Sequence, residues 1–112
     1  MVDLQVAQAI FNQLGGKRFT KMTGAKDYVV SANSLTFRLP ARFAKAGINR
    51  VTITLDPSDT YIVEGVKITR RNGDWKSKPV EKRELVYAED LQTVFTAMTG
   101  LDTHLPTIIF KH

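Results

Sequence analysis

The chain contains no cysteine, which excludes disulfide scaffolds, thiolate metal sites and cysteine nucleophiles together. Histidine is nearly absent: the two present are His104 and His112. A catalytic triad would have to bring His104 to a serine and an acid from distant segments, and no spacing points to one. No apolar run approaches the roughly 18 residues of a membrane span. The start, Met1-Val2-Asp3-Leu4, lacks the basic stretch of a signal peptide. Acid is also in short supply. Eleven Asp and Glu face 16 Lys and Arg, for a net charge of +5, and a protein imitating DNA would need the opposite sign.

What remains is a chain of 112 residues, 43% hydrophobic and 24% charged. That composition is ordinary for one soluble domain, and the length is enough to bury a core without metal or disulfides. The expectation is a soluble protein of the cytosol.

Apolar positions Leu4, Ala7, Ile10, Phe11 and Leu14 follow a helical period, Asp3 can cap them, and Gly15-Gly16 end them. This predicts a helix over about 3–14. Gly16-Lys17 resembles the end of a phosphate loop. The motif needs a glycine where Phe11 stands and Ser or Thr where Arg18 stands, so it is rejected. Phe19 to Met22 reads as a short strand. Tyr28 to Val30 and Leu35 to Leu39 read as a hairpin with a four-residue loop, closed by Pro40. Residues 41–49 read as a mobile, basic helical turn ended by Gly47. Val51 to Leu55 is a strand, and Asp56-Pro57-Ser58-Asp59 a turn whose carboxylates bond its own backbone.

From Tyr61 the alternation changes parity, since Tyr61 and Val63 lie on one face and Val66 and Ile68 on the other. A bulge at Gly65 would bring both pairs to the core with Glu64 outward, and a regular ladder through 62–68 would refute it. Asn72-Gly73 is a type I′ turn signal. It pairs Arg71 with Asp74, Arg70 with Trp75, Thr69 with Lys76 and Lys67 with Lys78. Pro79 is expected to end this hairpin, with a polar connection over 81–84. Leu91, Val94, Phe95 and Met98 predict a helix over about 87–99, stopped by Gly100. The tail 101–112 carries Ile108-Ile109-Phe110 and is expected to dock as an edge strand. The fold class is then α+β, one domain. An antiparallel sheet of five or six strands within about 17–80 carries N-terminal and C-terminal helices packed on one face.

Several segments resemble a family of short uncharacterised proteins encoded by bacteriophages, prophages and other mobile elements. They are Phe11 to Gly16, Met22 to Lys26, Asn33 to Pro40, Gly47-Ile48-Asn49, Asp59-Thr60-Tyr61 and Thr99-Gly100-Leu101. The resemblance implies a bacterial host cytosol and brings no activity, cofactor or site.

Basic charge is concentrated in residues 17–50 and 67–83, which suggests an anionic partner. The 67–78 hairpin is the sharpest candidate surface, because it carries the single tryptophan beside several cations, a combination that suits stacking and backbone contact with nucleic acid. Candidate binding residues are Lys67, Arg70, Arg71, Trp75, Lys76 and Lys78, with Arg42 and Lys45 from the basic loop. Phe19, Tyr28, Phe37 and Phe43 are read as core. The expected function is non-enzymatic binding of nucleic acid, without metal or cofactor. The alternative is a phage-encoded module that binds a host protein, such as a defence complex, and inhibits or redirects it.

Overall fold

The structure, a computed structural model, describes residues 4–40 and 44–101. Helix α1 spans Gln5–Leu14 and α2 spans Lys17–Thr23. Five strands follow: β1 Lys26–Val30, β2 Ser34–Arg38, β3 Arg50–Leu55, β4 Tyr61–Arg71 and β5 Asp74–Val86. Short 3-10 turns occupy Lys45–Gly47 and Ala88–Asp90, and α3 spans Leu91–Thr99. The strands pair in chain order, each antiparallel to the next, as a meander. Asp3, Phe43 and the tail beyond Leu101, with both histidines, lie outside the described residues. No helix among the described residues is long and apolar enough to cross a membrane.

Alternation makes this an α+β domain with a single covered face. Leu35 and Phe37 of β2, Val51 and Ile53 of β3, and Tyr61 and Val63 of β4 are buried, while their immediate neighbours within the strands are half-buried or exposed. Ala7, Ile10 and Leu14 of α1, Phe19 of α2, and Leu91, Phe95 and Met98 of α3 complete the core. At its centre Phe19, Phe37 and Phe95 meet as a trio, with ring centroids 5.3, 5.1 and 6.0 Å apart. The two closest pairs are edge-on, and such geometry adds about 0.5–1.5 kcal/mol per pair beyond area burial. Gln92 Nε2 donates to Leu14 O at 2.9 Å, tying α3 to the end of α1.

Three expectations are corrected. Residues 19–22 are helix, not strand. The pattern Phe-Thr-x-Met-Thr-Gly occurs at 19–24 and again at 95–100, and both copies fold as a last helical turn. Thr23 Oγ1 donates to Phe19 O and accepts from Ala25 N; Thr99 Oγ1 donates to Phe95 O and accepts from Leu101 N. Gly24 and Gly100 are both left-handed. Each threonine is buried, so its hydroxyl satisfies backbone groups that the helix end leaves open.

The second correction concerns Gly65. β4 pairs with β3 without interruption from Leu55↔Tyr61 to Arg50↔Val66. The irregularity lies across the other edge, where Gly65 faces Glu81 and Val66 faces Pro79, leaving Val80 as the extra residue on β5. Val66 and Ile68 therefore stay on the face away from the helices, half-buried. Glycine at 65 answers a packing demand: a Cβ there would stand 2.8 Å from Cδ1 of buried Ile48.

Third, Pro79 does not end the hairpin, and the strands run from 26 to 86 rather than from 17 to 80. β5 continues through Pro79 and residues 81–84 to Val86. It is an edge strand and Pro79 flanks its bulge, the two settings in which a sheet tolerates a missing N–H. The β1–β2 connection is also one residue shorter than expected, because Ser34 already belongs to β2.

Candidate nucleic-acid interface

The turn Asn72-Gly73 has positive φ at both positions, 53° and 85°, as a type I′ turn requires. The pairs Arg71↔Asp74, Arg70↔Trp75, Thr69↔Lys76 and Lys67↔Lys78 form as expected. β3 reaches no further along β4 than Val66, so residues 67–78 project as a two-stranded ribbon. Asn49 holds its base: Nδ2 donates to Ile68 O and Oδ1 accepts from Ile68 N, each at 2.8 Å. The side-chain amide thus extends the β3 ladder by one step.

The candidate residues divide between surfaces. Arg70 lies over Trp75, its guanidinium carbon 5.4 Å from the ring centroid, and both share the open face of the sheet with Ile68. Trp75 is 64% exposed. Lys67, Arg71, Lys76 and Lys78 alternate onto the other face of the ribbon. There Lys67 lies against Gly47. Lys45 Nζ donates to Ala97 O at 3.1 Å, so its charge sits at the C-terminus of α3, where cations are favourable. Arg42 lies outside the described residues.

Between the ribbon and the open face lies a groove of ≈ 590 Å³. Lys26, Arg38 and Arg50 supply its charge, Trp75 and Ile68 its apolar wall, and Asn49 and Ser77 neutral polar groups, with Lys76 also at its lining. Its lining contains no carboxylate and no imidazole. Lys26, Arg38 and Arg50 were not among the sequence candidates, and register is what brings them together. Lys26 faces Arg38 and Arg38 faces Arg50; the same row then runs through Val66 to Pro79. Like charges directly opposite one another destabilise a sheet. Asp27, turned left-handed at a β1 irregularity, accepts from Arg38 at 3.2 Å. Among the described residues neither Lys26 nor Arg50 has a carboxylate within ion-pair distance.

The remaining polar constellations are structural. Asp56 Oδ2 accepts from Ser58 N at 3.0 Å within its own turn, and these bonds hold its carboxyl below the usual range. Tyr28 donates to or accepts from Thr20 at 2.6 Å, and burial raises its pKa. Burial also raises that of Tyr61, with Asp59 adding to the effect and Gln13 opposing it. Among the described residues no three of His, Asp and Glu gather as metal ligands would. No family model matches the chain, and no curated protein or solved structure matches it either.

Proposed function

We propose that the chain is a non-enzymatic nucleic-acid-binding protein that holds its ligand in the groove beneath the ribbon. The Lys26–Arg38–Arg50 row carries this reading. Three cations side by side across three strands cost the free protein stability; a phosphate backbone laid along them removes the repulsion and releases counterions. Trp75 adds an exposed aromatic surface beside that charge, and nucleobases stack on such surfaces. The groove offers positive charge and hydrogen-bond donors, which suit binding rather than proton transfer. The resemblance to mobile-element proteins sets the same reading in a bacterial cell.

The test is fluorescence anisotropy of labelled DNA and RNA at salt concentrations from about 50 to 200 mM. Affinity is expected to fall as salt rises. Arg50→Thr should weaken binding while the melting temperature of the free protein holds or increases, because the substitution removes charge repulsion and keeps a good strand former. Absence of binding at the lowest salt removes the proposal. Retention of DNA or RNA affinity by the Arg50→Thr protein would move the site elsewhere.

A further inference from the structure

We infer that the groove takes a single strand, with one base stacked on the indole of Trp75 and neighbouring phosphates on Lys26, Arg38 and Arg50. This rests on the nucleic-acid reading above and narrows it to a substrate class. A cavity of ≈ 590 Å³ is of the size that encloses one drug-sized ligand. A single nucleotide is of a size to occupy it. The Lys26–Arg38–Arg50 row is exposed on the open face of the sheet, and a base free to stack on Trp75 beside it is one not already paired and stacked within a duplex.

The two sides of the indole are inequivalent. Arg70 stacks against the ring without lining the groove, whereas Trp75 lines it. The guanidinium therefore backs the ring and fixes its orientation, leaving the groove side of the indole for a base. Strands lie about 4.8 Å apart, so the cation row extends over about 10 Å of sheet, enough for more than one phosphate of a flexible strand. Asn49 and Ser77 place neutral hydrogen-bonding groups between the row and the ring. Asn49 is already bonded to Ile68, so the groove carries little that reads a particular base. The expected binding is tolerant of sequence.

Trp75 is the only tryptophan in the chain, so its intrinsic fluorescence reports the proposed contact directly. The experiment titrates the full chain with oligothymidylate, oligoriboadenylate and a blunt duplex hairpin of matched phosphate number. Both single strands are expected to quench the emission to saturation and to bind more tightly than the hairpin. The logarithm of affinity should fall against the logarithm of salt with a slope of about −2, for three phosphates neutralised on a single strand. Trp75→Ala should weaken single-strand binding about 10- to 100-fold, and Trp75→Phe should retain most of it. Arg50→Thr should reduce the slope by about 0.7.

Equal or tighter binding of the hairpin, or single-strand binding that leaves the emission unchanged, would overturn this inference and leave the broader reading standing. Binding of neither nucleic acid at low salt would remove both. Quenching by an acidic polypeptide such as polyglutamate in place of either would also remove both, and would point to a protein partner. Because Trp75 is exposed on the ribbon, its substitution leaves the core intact, and the melting temperature of each variant checks this.

Discussion

At the scale of single residues, Gly65 shows how one absent side chain can serve two elements. It lies in the middle of β4, where glycine is a poor strand former, beneath the buried Ile48 that follows the 3-10 turn. Gly65→Ala would push a methyl group against Ile48 Cδ1, and a side chain buried on all sides cannot swing away. The expected cost is about 1–3 kcal/mol in urea unfolding. Adding Ile48→Val removes the offending atom and should recover much of the loss, a coupling of about 0.5–3 kcal/mol. Strict additivity of the two changes would show that the contact is not the reason for the glycine. The sequence marks this position as special, yet it does not distinguish a bulge from a close approach, because the reason belongs to a residue 17 positions earlier. Arg38 and Arg50 were more legible than they seemed. Both stand on the polar parity of their strands, and hairpin pairing across residues 39–49 sets them opposite. Lys45 was not, since its partner is a carbonyl 52 positions away.

At the scale of elements, the ribbon is the piece with least support. A two-stranded hairpin is marginal alone, and β3 does not reach it. The two Asn49–Ile68 bonds close the sheet at the ribbon's base, so Asn49→Ala should loosen what lies beyond. Hydrogen exchange is expected to speed at the paired amides of residues 68–77, by an amount equivalent to about 1–2 kcal/mol. Amides shared by β2 and β3 should be unaffected. A uniform increase over the whole sheet would mean that Asn49 supports global stability instead. The turn at Asn72-Gly73 and its register could be read in advance, because the turn chemistry is local. The length of β5 could not: Pro79 and the run 81–84 look like a terminator and a loop until the strand proves to be an edge. The helix at 17–23 is hidden in the sequence for a different reason. Phe19 and Met22 suit a strand in isolation, and only the recurrence of the same pattern at the end of α3 identifies it as a helix terminus.

For the molecule as a whole, two partly buried phenols contribute to the alkaline limb of stability. Burial raises the pKa of Tyr28 and Tyr61 above the ordinary 10.0, so above that pH the unfolded chain loses these protons first. With fewer protons bound in the unfolded state, stability falls as pH rises from about 10 through the raised folded values. Below 10 this contribution is fully present. Tyr28→Phe should begin about 1 kcal/mol less stable at neutral pH, having lost the bond to Thr20, and then decline less steeply than the parent as pH rises above about 10. Chemical denaturation at each pH measures both, and parallel curves would show that Tyr28 titrates alike in both states. The α+β class and the single covered face were legible because period-two and helical patterns are properties of single segments. The groove was not, because it exists only once five strands share a register.

The three rings at the centre of the core come from α2, β2 and α3, and this order has a consequence for a chain being made. Residue 37 leaves the ribosome well before residue 95. At 5–20 residues per second the interval is roughly 3 to 12 seconds. Throughout it, β2 and then β3 and β4 can pair while the phenyl ring that completes their cover has not been synthesised. The nascent sheet thus waits with part of its apolar face open to chaperones or to another nascent copy. It closes only when the last helix arrives.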